Sequence, residues 1–180
     1  MRIIAGIHKN RRLDFKNLNI RPTTNFAKES LFNILNNYFD FEKISALDLF
    51  AGSGNISYEF ISRGCKKIVA VEKNKKCINF INKIKCKLTL DNLTIYCSDV
   101  ISYLKKETQS YDVIFLDPPF NYTQNQYDEI IRIIINNKLL NENTMIIIEH
   151  GKFINFDSHP LYLKTKKYGR VHFSFLKNEK

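Results

Sequence analysis

Five short apolar runs, at 46–50, 67–71, 93–97, 113–116 and 145–148, recur along this chain, separated by longer segments of helical or mixed texture. Runs this short, without strict polar alternation, suit strands covered on both faces, and such strands belong to parallel sheets. Parallel neighbours need a crossover, normally a helix. The intervening segments supply them at 53–62, at 74–86 with Ile78, Ile81 and Ile84 on one face, and at 127–137 with Ile130, Ile131 and Ile134. After His150 the helical rhythm stops. Residues 162–167 and 170–176, hinged on Tyr168-Gly169, read as a closing antiparallel hairpin. The predicted fold class is α/β: a doubly wound sheet, mostly parallel, with an antiparallel C-terminal edge strand.

Ahead of the sheet, Leu31, Phe32, Ile34, Leu35, Tyr38 and Phe39 recur at helical spacing behind a Thr24/Asn25 cap, which predicts a helix over 25–39. Residues 2–5 and 12–15 are expected to pair as a short hairpin with His8-Lys9-Asn10-Arg11 as its basic turn. A chain of 180 residues falls below the roughly 250 at which single cores begin to split. One domain is expected, with a basic arm and helix at 1–40 preceding a core at 41–180.

Charge points to the partner. Lysine and arginine number 28 against 18 acids, a net +10, and residues 1–30 hold half of that excess. Arg2, Lys9, Arg11, Arg12, Lys16, Arg21 and Lys28 face only Asp14 and Glu29 there, so an anionic partner is expected. The lysines at 73, 75, 76, 83, 85 and 87 read as a solvated helix face. No stretch approaches the roughly 18 apolar residues of a bilayer crossing, and the start lacks a signal-peptide pattern, so a cytoplasmic location is expected. Cys65, Cys77, Cys86 and Cys97 lack CxxC spacing and are expected as buried thiols. His8, His150, His159 and His172 lack ligand spacing, so no metal is expected.

The run Leu47-Asp48-Leu49-Phe50-Ala51-Gly52-Ser53-Gly54 places an acid and two glycines where a strand turns into a helix. Glycine there lets a ligand approach the backbone, although a tight turn needs the same residues. Glu72 ends the next strand 20 residues after Gly52, the position from which an acid takes ribose hydroxyls. Asp99 ends the third strand. Ser57 occupies the place of a third dinucleotide-type glycine, and Asp48 would repel a pyrophosphate. The acids suit a cationic ligand carrying an amino-acid tail and a ribose.

The fourth strand ends in Asp117-Pro118-Pro119-Phe120. Prolines after a strand can simply terminate it. Here they also stiffen a loop that offers the Asp117 carboxylate, the Pro118 carbonyl and the Phe120 ring, a set that fits a planar base amine. Such an amine is a weak nucleophile because its lone pair is delocalised. Two acceptors on its hydrogens favour the geometry in which the pair points outward. An aromatic face would hold the base once it has left its stack.

These residues resemble the bacterial 16S rRNA guanine-N(2) methyltransferases of the RsmD type, within the Rossmann-like class I methyltransferases. The resemblance runs nearly end to end. It rests on Arg2-Ile3-Ile4-Ala5-Gly6, Arg21-Pro22-Thr23-Thr24, the segment from Lys28 to Leu35, the glycine loop, Val71-Glu72-Lys73-Asn74, Asp117 to Phe120, and Tyr168-Gly169-Arg170. It implies S-adenosylmethionine as cofactor, with Asp48, Ala51, Gly52 and Gly54 near its amino-acid part, Glu72 and Lys73 at the ribose, Asp99 and Val100 at the adenine, Arg21 and Thr23 in a lid, and Asp117 also among the cofactor contacts. It further implies that Asp117, Pro118, Pro119 and Phe120 hold the guanine, within an assembling small subunit. Phe120 stands where many relatives carry tyrosine, and Phe26-Ala27 replaces a more polar stretch. Lys9, Arg11, Arg12, Lys16 and Arg170 are the expected RNA contacts, and a monomer is expected. A DNA adenine-N(6) methyltransferase and a non-catalytic RNA-binding assembly factor are the competing readings.

Overall fold

A computed structural model of the chain describes residues 2–14, 18 and 23–178. Its elements are α1 (Asn25–Leu35), β1 (Ser45–Leu49), α2 (Asn55–Ser62), β2 (Lys67–Glu72), α3 (Lys75–Leu88), β3 (Leu93–Cys97), α4 (Val100–Leu104), β4 (Tyr111–Leu116), α5 (Gln124–Asn136), β5 (Leu140–His150), β6 (Tyr162–Tyr168) and β7 (Val171–Lys177). The strands form one sheet in the order β3-β2-β1-β4-β5-β7-β6. The first five pair in parallel, while β7 is antiparallel to both β5 and β6. Chain order reverses between β1 and β4, so the crevice at their carboxyl ends is a topological switch point, where open α/β sheets bind ligands.

All five predicted strand runs and the closing hairpin are present. The hairpin forms the antiparallel edge with β6 outermost. The buried Val171 to Leu176 run of β7 fits between two strands, and β6 carries the exposed Lys166 and Lys167 that suit an edge. Apolar layers cover both faces. Leu31, Phe32 and Leu35 of α1 pack with Phe60, Phe115 and Phe173 on one, while Ile130, Ile131 and Ile134 of α5 pack with Leu47, Ile114 and Phe156 on the other. Among the described residues no helix is long and apolar enough to cross a membrane.

Three expectations are corrected. The first helix ends at Leu35, not at residue 39, and Asn36 and Asn37 close it, since asparagine bonds locally and disfavours helix interiors. Phe39 still packs against the core from the following turn. The N-terminal hairpin is reduced to a single Arg2 to Arg12 bridge. The Ile4 and Ala5 amides donate to the Glu59 carboxylate of α2 at 2.9 and 3.1 Å, and so are not used in a strand ladder. Cys65 and Cys77 are buried thiols, but Cys86, on the outer face of α3, and Cys97, at the end of edge strand β3, are exposed. Lys75, Lys76, Lys83 and Lys87 form the solvated face expected of α3.

The arm is held from inside the protein. Lys28 and Glu59 form an ion pair at 3.0 Å with neither side chain exposed. The Lys28 ammonium also donates to the Arg2 carbonyl and to Asn55 Oδ1, each at 2.8 Å, which satisfies its three protons. Gly6 lies against the last turn of α2 at φ 78°, where a Cβ would fall 1.5 Å from the Ser62 carbonyl oxygen. The arm therefore runs down α2 and returns, bringing Arg12 back beside Arg2.

Candidate active site

A cavity of about 390 Å³ opens at the switch point, lined from the ends of β1 to β4. That volume is ordinary for a small-molecule site. It brings together Thr23, Asp48, Ala51, Gly52, Glu72, Lys73, Asp99, Val100, Asp117, Pro118, Pro119 and Phe120, all of them expected from sequence. Gly54 caps α2 just behind it. Arg21 and Lys16 lie outside the described residues.

The turn from β1 into α2 takes positive φ at Phe50, Gly52 and Gly54. At Gly54 a Cβ would come within 2.7 Å of the Tyr58 ring, so only glycine fits. The turn is pinned to β2, since Ala51 N–H donates to the Val71 carbonyl at 3.0 Å and Gly52 N–H to Glu72 Oε2 at 2.8 Å. The other Glu72 oxygen accepts from Asn74 N–H at 2.7 Å. An ionised carboxylate has about four acceptor positions, so Glu72 shapes the turn and retains acceptor capacity at the cavity.

Asp48 is buried and accepts from both the amide and the hydroxyl of Ser57, at 3.1 and 2.5 Å. Ser57 thus fills the place of a third glycine with a partner for the acid. Burial pushes the Asp48 carboxyl up to about 7, the Ser57 hydrogen bonds oppose this, and the Glu72 charge adds to it. Asp99 caps α4 through Ser102 N–H at 3.1 Å. That five-residue helix was not predicted, being too short to show a period.

At the end of β4, Pro118 is buried while Pro119 and Phe120 are exposed, Phe120 to 61%. The Pro119 carbonyl accepts from Tyr122 N–H at 2.9 Å, which makes the loop a tight turn. Register pairs Leu116 with Ile148, which sets Asp117 beside Glu149 on the next strand. Burial raises the Asp117 carboxyl well above the usual carboxylate range, and the charges of Glu149 and Asp48 raise it further.

Glu149 and Asn55 were missed. Glu149 accepts from Thr23 Oγ1 at 2.7 Å and so ties the chain entering α1 to the sheet edge. Its signal was legible, since it is an acid closing an apolar run, as Glu72 is. Asn55 lines the cavity and donates to the Thr23 carbonyl at 3.4 Å, and no pattern in the sequence distinguishes it. Of the expected RNA contacts, Lys9, Arg11, Arg12 and Arg170 are all exposed. Arg170 lies in the β6–β7 turn at the cavity's edge of the sheet, while Lys9 lies in the turn docked against the far end of α2.

Comparison with known proteins places this arrangement. A family model described as conserved hypothetical protein 95 matches residues 1–177. Ribosomal RNA small subunit methyltransferase D of Buchnera aphidicola subsp. Baizongia pistaciae is 38% identical over 183 aligned positions, covering 99% of this chain and 92% of that one. The chain belongs to the ribosomal RNA small subunit methyltransferase D family. The solved structure of the Escherichia coli protein yhhF superposes with a TM-score of 0.88 at 25% identity, covering 99% and 98% of the two chains. A more distant solved chain, complexed with SAH, shares the fold with a TM-score of 0.66 at 19% identity, covering 83% of this chain and 49% of that one.

Proposed function

We propose that this chain transfers a methyl group from S-adenosylmethionine to the exocyclic N(2) of a guanine in 16S rRNA during small-subunit assembly. The observation that carries this reading is that Asp117 to Phe120 open on the same cavity as the glycine turn and Glu72. The family names of its relatives support the rRNA target. The donor set fits the cofactor: carboxylates at the ends of β1, β2 and β4 favour a cation, and Glu72 has acceptor positions left for ribose hydroxyls. When bound, S-adenosylmethionine supplies an electrophilic methyl on a sulfonium.

The chain's own residues hold and orient the amine. Asp117 and the Pro118 carbonyl accept its two hydrogens and direct its lone pair outward. Phe120 stacks on the extruded base. Asp117 then takes the proton of the ammonium product, directly or through water, as its raised carboxyl suits. Lys9, Arg11, Arg12 and Arg170 contact phosphates. The reading is of a cytoplasmic monomer.

The test is transfer from labelled S-adenosylmethionine to naked 16S rRNA and to partly assembled small subunits from cells lacking the gene, followed by nucleoside analysis. Label in N(2)-methylguanosine, chiefly on the particle, is the expected result. Label in methyladenosine overturns the target, and no label despite measured cofactor binding overturns the RNA substrate.

Cofactor affinity should depend on pH through Asp48. Its carboxyl, pushed up to about 7, is protonated below that value, and a cationic ligand favours the ionised form. Affinity by calorimetry should therefore fall from pH 8 to pH 6, by up to about tenfold per unit below the raised value. Asp48→Asn should abolish that slope.

A further inference from the structure

Phe26 is left 70% exposed in the first turn of α1 although the helix has a full apolar face in Leu31, Phe32 and Leu35. Single exposed apolar residues are ordinary. Phe26 is not single: its ring meets that of Tyr168 edge-on, with centroids 5.9 Å apart and planes at 78°. Tyr168 is held in turn against Phe173 of β7 at 5.8 Å. The pair thus forms a fixed corner, since rings at that angle leave the faces outside the contact open.

The corner lies outside the cavity's lining but close to it in the fold. Thr23, three residues before Phe26, lines the cavity and bonds to Glu149. Phe173, behind Tyr168, pairs with Glu149 in the β5–β7 register. Glu149 neighbours Asp117, and Tyr168 lies one strand beyond Phe173 on β6, so strand spacings put the corner roughly 15 Å from the proposed acceptor site. Lys166, Lys167 and Arg170 are all exposed on the same hairpin, Lys166 on the strand face that carries Tyr168. Edge-strand lysines also discourage strand pairing, but that role does not call for aromatic rings beside them.

We propose that Phe26 and Tyr168 form a stacking platform for a nucleobase flanking the target guanine, with Arg170 on the adjoining phosphate. This rests on the rRNA reading and adds to it a specific surface. Extruding one base from single-stranded RNA breaks the stacking of its neighbours, and an aromatic corner beside the site restores it. Cations beside exposed rings are the combination that single-stranded nucleic acid requires, and they set this surface apart from an apolar protein-docking patch.

The experiment measures binding of a fluorescein-labelled oligoadenylate of about 12 nucleotides by anisotropy, for the full chain and its Phe26→Ala, Phe26→Trp and Arg170→Ala variants. Phe26→Ala should weaken RNA binding about five- to hundredfold, the range of one base–aromatic stack, with cofactor affinity unchanged. Phe26→Trp should bind at least as tightly as the parent. Arg170→Ala should reduce the salt slope of binding by about one. Equal RNA affinity for Phe26→Ala and parent overturns the platform, as does an equal loss of cofactor affinity, which would indicate a distorted mouth. If Phe26→Ala weakens RNA binding while the parent leaves rRNA unmethylated, the platform stands and the target assignment fails. If the parent methylates rRNA and Phe26→Ala binds RNA as well as the parent does, the platform alone fails.

Discussion

Asp117→Ala should lower kcat for methyl transfer by a factor of about a hundred to a thousand, the cost of removing one preorganised hydrogen-bonding group at a reacting centre. Cofactor affinity should stay near that of the parent, whereas Glu72→Ala, which removes the proposed ribose acceptor, should weaken cofactor binding by calorimetry. The fold should survive. Asp117 is a carboxyl raised by burial and by the charges of Glu149 and Asp48, so its removal relieves a repulsion, and it breaks no ion pair among the described residues. Asp117→Asn keeps one acceptor and should retain more activity than the alanine variant. The pH profile adds a second readout. A carboxyl raised above its usual range is protonated at low pH and loses acceptor capacity, so kcat rises with pH through its titration. Glu149→Gln removes the neighbouring charge and should move that rise to lower pH. Near-parental turnover for Asp117→Ala would remove Asp117 from the chemistry.

The buried strands were legible because central parallel strands are apolar on both faces, so β1, β2 and β4 stand out from any background. The site residues were legible for a related reason: polar groups that end apolar runs collect at one edge of such a sheet, as Glu72, Asp99 and Asp117 do. What stayed hidden depends on contacts distant in sequence. Ser57 looked like a missing glycine and is the partner of Asp48. Lys28 looked like one cation of a basic arm, yet it is buried against Glu59, 31 residues away in the sequence. The excess charge of residues 1–30 therefore overstates what the arm can offer an RNA. The hairpin failed as an expectation because a side chain, Glu59, took the amides that a partner strand would have used. Backbone demand is predictable from sequence, but the identity of the acceptor is not.

Lys28→Ala tests whether that buried pair holds the arm in place. Burial draws the Lys28 ammonium below the usual lysine range even though Glu59 pulls it up, so the pair itself adds little net stability. Breaking it is a different matter. The variant leaves the Glu59 carboxylate with neither side-chain exposure nor its Lys28 partner, against the Ile4 and Ala5 amides and Arg63, which lies 3.0 Å away. Removing one member of such a pair costs about 3–5 kcal/mol, a large share of the roughly 5–15 kcal/mol that stabilises a native protein. The urea midpoint should fall accordingly, and the melting temperature by about 6–20 °C. Glu59→Gln separates the charge from the hydrogen bonds, since its amide oxygen can still accept from one of the arm amides while the ammonium loses its counterion. If the pair anchors the arm, both variants should also raise KM for RNA at temperatures where they remain folded, because Lys28→Ala takes the shared donor from the Arg2 carbonyl and Asn55, and Glu59→Gln weakens the hold on the Ile4 and Ala5 amides. A Lys28→Ala protein with the parent's urea midpoint would show that the arm is held by its apolar contacts, Ile3 and Leu13, instead.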